Sequence, residues 1–210
     1  RGTFNVPVGA EVGAEGIRTV YAGHEVAVHD GMGEGAPAEF AAQVASAKSN
    51  LEAIVGYPVR GMAYVGGGVT PGSAAALADV GIVYGRGIGV SRWFGVDTNF
   101  PVWSTTCHQG EAAKYVEAFL AFPGSPALFS LWGHSYEFRT EADWAAIEAV
   151  CTRLAGREDI WFATNIELAD YVRSAQALRK NAAGDWNNPS AVPVWIEVAG
   201  SPRELNPARP

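Results

Sequence analysis

Strand-like and helix-like segments alternate about six times along this chain, and that alternation limits the fold more than any other feature of it. Residues 3–8, 24–29, 59–65, 82–86, 126–132 and 160–163 read as strands, each apolar or alternating and punctuated by Gly or Pro. Residues 37–55 place Phe40, Val44, Ala47, Leu51 and Ile54 at helical spacing, and Gly56 ends the run. Thr70 and Pro71 supply an N-cap and a first-turn proline for a helix that stops near Gly81. Residues 111–122 form the next helix, with Tyr115, Phe119 and Leu120 on one side. Another opens at Glu141 behind Thr140 and turns Trp144, Ile147, Cys151 and Leu154 inward. The Thr164-x-x-Glu167 capping box opens a last helix to about Lys180, and residues 192–199 read as a strand-like tail. Such alternation predicts an α/β fold with a largely parallel sheet. The first strand is not followed by G-x-G-x-x-G, so an irregular barrel fits better than a dinucleotide-binding sheet.

The bulk properties narrow the function. At 210 residues with 48% hydrophobic side chains, one domain with a packed core is expected. The net charge of −7 and the absence of a basic run argue against a nucleic-acid or anionic-membrane partner. No window approaches the ~18 apolar residues of a membrane span, and no signal peptide is visible, so a soluble chain is expected. Neither compartment nor oligomeric state is written in the sequence. Cys107 and Cys151 match no zinc spacing and read as two small, semi-buried thiols.

The four histidines carry the chemistry. His134 lies at the end of the 126–132 strand, just before a helix, where α/β barrels place their active sites. A neutral imidazole there can act as a general acid near pH 7. His29 ends its strand beside Asp30 and a glycine-rich turn, a position suited to a metal ligand or a base. Strand parity puts His24 on the opposite face from His29, which makes it structural. His108 precedes a helix and suits a pocket rim. Arg60 can orient a carboxylate, and Tyr64 runs into Gly66, Gly67 and Gly68, whose turn can present amides to an oxyanion. The tryptophans can stack on sugar rings or simply pack. Asp143, at a helix start, reads as a dipole-complementing carboxylate.

Four segments in order resemble the polysaccharide deacetylases, the NodB-homology or carbohydrate esterase 4 family. They are Gly-Thr-Phe-Asn-Val-Pro at 2–7, Gly-His-Glu-Val-Ala-Val-His at 23–29, Val-Arg-Gly-Met-Ala-Tyr at 59–64 and Trp-Gly-His-Ser-Tyr-Glu-Phe at 132–138. The last is similar to one branch of that family, as are Thr106-Cys107-His108 and residues 161–167. The resemblance implies a distorted (β/α) barrel of the NodB-homology type over residues 1–183, lacking its first strand, with residues 184–210 as a short β tail on the same domain. It implies a divalent metal, commonly zinc, that polarises an acetyl carbonyl and activates water. His29 and Asp30 fall at metal-site positions. His134 matches the catalytic acid, Arg60 the motif arginine, and Tyr64 the residue whose amide helps hold the oxyanion. Trp103, His108, Trp132 and Tyr136 are then substrate-binding side chains, and an acetylated oligo- or polysaccharide is the implied partner.

The chain also departs from that pattern. Four residues after His29, where the family has its second metal histidine, stands Gly33, and no Thr-Phe-Asp-Asp run occurs in these residues. Two functions follow as expectations. One is a metal-dependent deacetylase acting on an N- or O-acetylated saccharide, with a rebuilt ligand set drawn from His29, Asp30, Glu34 or His108. The other is a catalytically impaired relative that serves as a carbohydrate-binding or structural module.

Overall fold

The computed structural model describes residues 1–207. Its centre is a five-stranded parallel sheet in sequence order: β1 (Thr3–Val6), β2 (Glu25–Val28), β3 (Gly61–Ala63), β4 (Tyr84–Val90) and β5 (Trp103–Thr105). Between them run α1 (Gly13–Val20), α2 (Pro37–Val55) and α3 (Pro71–Asp79). The chain continues through β6 (Cys107–His108), α4 (Ala112–Leu120) and β7 (Leu131–Trp132), with β6 and β7 forming a short parallel pair of their own. Then come α5 (Glu141–Leu154) and α6 (Asn165–Ala177), followed by two antiparallel pairs: β8 (Arg179–Lys180) with β9 (Trp186–Asn187), and β10 (Val194–Val198) with β11 (Ser201–Leu205). The expected α/β class with parallel strands is present. The strand-like tail is one half of the β10–β11 hairpin, and residues 208–210 lie outside the described residues.

The core follows from strand parity. Val26, Val28 and Met62 turn to one face of the sheet and meet Ile17 of α1, Phe40, Val44, Ala47 and Leu51 of α2, and Leu77 of α3. The α2 residues recur every three or four positions, so one stripe of that helix is fully covered. Burying a side chain such as Phe40 or Leu51 stabilises the fold by about 1.5–3 kcal/mol. Tyr84 and Trp103 turn to the other face, where they pack with Phe100 and Ala169 of α6. All three threonine caps form: Thr70, Thr140 and Thr164 each accept the amide of the third helical residue. Asp143 completes the Thr140 cap by accepting the Arg139 and Thr140 amides.

Three expectations fail for identifiable reasons. Residues 160–163 form no strand, and Trp161 and Phe162 are 56% and 43% exposed. Instead of a ladder, side chains hold the residues that follow: Thr3 Oγ1 accepts the Asn165 amide at 2.9 Å and Glu25 Oε2 that of Ile166 at 3.0 Å. Only the end of the 126–132 run pairs as a strand, because Leu128 and Ser130 give their amides to the Phe94 carbonyl and to Thr106 Oγ1. α5 turns Val150 and Leu154, not Trp144 and Cys151, against Ala112 and Val116 of α4. Trp144 stacks on Phe138 instead, and Cys151 is exposed. α1 escaped prediction because Ile17 is its one buried residue.

Candidate functional site

The carboxyl ends of β6 and β7 bring His108 and His134 together, since the two strands run parallel and pair His108 with Trp132. After Gly133 the chain makes a one-turn helix at Ser135–Glu137, which folds Glu137 back onto both histidines. His108 Nε2 is 3.0 Å from Glu137 Oε2, and His134 Nδ1 is 3.2 Å from the same oxygen. His108 Nδ1 accepts the Gly110 amide, so its proton sits on Nε2 and is donated to Glu137. The His134 amide donates to Oε2 at 2.8 Å and Gln109 Nε2 at 3.1 Å. His134 Nδ1 approaches off line, so it is buried without an aligned hydrogen bond despite the short distance.

These contacts set the electrostatics. Desolvation raises the Glu137 carboxyl, but the His134 amide, the His108 charge and the two imidazole contacts outweigh it and hold it below the ordinary carboxylate range. A Cβ on Gly133 would lie 2.1 Å from Gln109 Oε1, so the Gln109 side chain that binds Glu137 would have to swing aside. Tyr136 stacks on His134 at 4.7 Å and is 65% exposed, while Trp132 meets both imidazoles edge-on.

The other candidates lie elsewhere. His29 follows β2, and its Nδ1 donates to the Ala63 carbonyl at 3.1 Å, leaving Nε2 as a potential ligand. Asp30 Oδ2 accepts the Val8 amide at 2.9 Å. Among the described residues, neither joins a group of three ligating atoms. Gly33 is buried, and a Cβ on it would fall 2.2 Å from the Gly68 carbonyl oxygen and 2.8 Å from Tyr64 Cδ1. The ligand set His29, Asp30 and residue 33 therefore does not fit a metal. His108, His134 and Glu137 do, offering two imidazole nitrogens and a carboxylate oxygen within 4.8 Å of one another.

Arg60, Tyr64 and Trp103 do not face the histidine cluster in the expected roles. Arg60 precedes β3 and so lies at the amino ends of the strands, where its guanidinium makes two 2.8 Å bonds to Asp170 of α6. With His24, Glu25 and Asp170 it lines a cleft of about 440 Å³. Tyr64 is 1% exposed, its hydroxyl donates to the Pro101 carbonyl, and its amide is spent on Arg86 O at 3.0 Å, leaving none for an oxyanion. Trp103 is 3% exposed and packs on Tyr84 and Phe100, out of reach of a sugar. His24 accepts the Gly2 amide, a structural role in line with its parity. Neither Gln109, Arg86 nor Glu137 is singled out by the sequence reading. An i,i+3 spacing between His134 and Glu137 was the available signal.

No protein-family model matches the chain, and no curated protein does. A solved structure described as a "putative polysaccharide deacetylase" from Mycobacterium smegmatis is similar, with a TM-score of 0.59 and 18% identity, over 83% of this chain and 72% of that one. The fold is polysaccharide deacetylase-like. At that identity the likeness concerns the fold, and the deacetylase-like scaffold carries its histidine cluster at strand carboxyl ends, where α/β folds hold ligands. Within it no helix is long and apolar enough to cross a membrane among the described residues.

Proposed function

We propose that this chain is a carbohydrate-directed hydrolase of the deacetylase type, removing acetyl groups from an N- or O-acetylated saccharide at His134, Glu137 and His108. The carrying observation is that one oxygen of Glu137 is shared by two imidazoles beneath the exposed ring of Tyr136. With Nδ1 of His134 turned to that carboxylate, proton exchange with a ligand falls to Nε2. In the imidazolium form Nε2 donates its proton to the leaving nitrogen or oxygen, and Glu137 stabilises the charge left on the ring. His108, with its proton directed at the same oxygen, fixes the carboxylate from the other side. Tyr136 and Trp132 offer aromatic surface to a sugar ring. A divalent ion such as zinc, held by His108, His134 and Glu137, would displace these protons and supply carbonyl polarisation and water activation, with His134 then a ligand and not the acid.

Acetate release from N-acetylglucosamine oligomers and from acetylxylan, with and without added zinc, tests this. His134→Ala is expected to lower the rate by about 10²–10⁴-fold. No release from either substrate in any condition would sink the hydrolase reading. A second reading, a carbohydrate-binding relative without turnover, is supported by the filled space at Gly33. It predicts oligosaccharide binding that Tyr136→Ala weakens while no acetate appears.

A further inference from the structure

One charged side chain in the interior has no counter-charge among the described residues. Arg86, in the middle of β4, is 8% exposed. Its one hydrogen bond there runs from Nη1 to the Gly87 carbonyl at 2.9 Å, and it joins no ion pair. A guanidinium carries five N–H donors, so most of them have no protein acceptor and depend on the little solvent access that remains. Taking it out of water costs free energy that only pairing or dense hydrogen bonding offsets. Burial duly pulls Arg86 below the ordinary arginine value.

Its surroundings belong to the site. The guanidinium lies over the Trp132 ring, 5.1 Å from the centroid, and Trp132 is the residue that touches both His108 and His134. Trp132 Nε1 is itself a buried donor without an acceptor. Register places Arg86 opposite Ala63, and His29 follows Val28, which pairs with Met62. His29, Ala63 and Arg86 thus stand side by side across three strands, on the face that carries Glu25 and Tyr84. His29 and Arg86 flank the fully buried Ala63 on that face, their backbones about 10 Å apart.

We propose that Arg86, backed by Trp132, binds a carboxylate brought by the ligand, either acetate or the acid group of a sugar acid. One planar guanidinium matches one carboxylate in charge and in its two-pronged geometry. Stacking on an indole holds the fork in place before the ligand arrives. The acetate source rests on the deacetylase reading above, whereas the sugar-acid source does not.

The full chain is titrated with sodium acetate and sodium glucuronate, with chloride and inorganic phosphate as controls at equal ionic strength. Tryptophan fluorescence and Tm are followed. At a concentration about a hundredfold above Kd, the binding carboxylate raises Tm by about 5–10 °C. Arg86→Lys keeps the charge but loses the fork, and is expected to weaken binding at least about tenfold. Arg86→Gln should remove the Tm shift. Acetate alone, glucuronate alone or both acting through Arg86 supports the proposal and names the source. It is overturned if neither carboxylate acts on the wild type, if Arg86→Lys binds as well as the wild type, or if the controls shift Tm equally. Acetate release without Arg86-dependent binding defeats this proposal and leaves the hydrolase reading standing. Arg86-dependent glucuronate binding without acetate release does the reverse.

Discussion

Replacing Gly33 asks whether the missing metal ligand was merely substituted or structurally closed off. A Cβ at this position lands 2.2 Å from the Gly68 carbonyl oxygen and 2.8 Å from Tyr64 Cδ1. Neither neighbour is free to retreat. Tyr64 is pinned by its hydroxyl on the Pro101 carbonyl at 2.7 Å and by the Phe40 ring. The 68–70 segment is tied to Gly33 itself, whose carbonyl accepts the Thr70 amide at 3.2 Å. Overpacking against fixed atoms costs about 1–3 kcal/mol, and a backbone oxygen puts Gly33→Ala at the upper end, about 3 kcal/mol. For a chain of this size that is a Tm loss of about 6–12 °C. Gly87→Ala is the control: its Cβ would meet nothing nearer than 3.8 Å and should change stability by less than about 0.5 kcal/mol. Gly33→His should destabilise at least as much as Gly33→Ala and bind no more zinc than the wild type. Urea or thermal unfolding with metal analysis reads all three. A Gly33→Ala protein as stable as the control, or a Gly33→His protein that takes up zinc through His29, would refute the steric argument.

Other outcomes follow from single contacts. Arg60 and Asp170 should couple by about 1 kcal/mol in a double-mutant cycle, as expected of a two-pronged pair that is partly exposed, and Arg60→Met should leave any acetate release unchanged. Glu25 is raised above its ordinary value because burial disfavours its charge, partly opposed by Thr3, Ile166 and Tyr84. The folded state therefore holds this proton at pH values where the unfolded chain has lost it. The stability of the wild type relative to Glu25→Gln should fall as pH rises from about 4.5 through the folded-state value. A flat difference across that range would contradict it. Cys107 is buried with its thiol pushed up to about 11, while Cys151 is exposed, so a maleimide at pH 8 should label Cys151 alone in the folded protein.

Local signals in the sequence were faithful where local physics decides. The threonine caps, the α2 stripe and the parity of His24 all follow from neighbours within a turn or a strand. Distant contacts defeated the same rules. Residues 160–163 have strand composition, but the residues beyond them are held by Thr3 and Glu25, more than 140 positions away. In the site, His134 was legible as a strand-end histidine and His108 as a residue before a helix, yet what joins them is Glu137, folded back by the one-turn helix after Gly133. Arg60 and Arg86 illustrate the limit best. Nothing near either residue in sequence reveals that one meets a carboxylate on α6 while the other stays buried beside an indole.

The Glu25 carboxylate ties together four elements: Oε1 accepts from Tyr84 of β4, and Oε2 from Thr3 of β1 and from the first turn of α6, while Glu25 itself begins β2. Those partners lie 59, 22 and 141 positions away along the chain. The widest loop must close before the set is complete, and such closures come late on a folding route. Glu25 thus acts as a latch on a nearly finished sheet rather than as part of its nucleus. Its removal should speed unfolding, by about 30-fold for each 2 kcal/mol lost, and leave the folding arm of the chevron in place. The kinetic lifetime of the native state then depends on one carboxylate far from the histidine cluster, and a slowed folding arm in Glu25→Gln would place it in the nucleus instead.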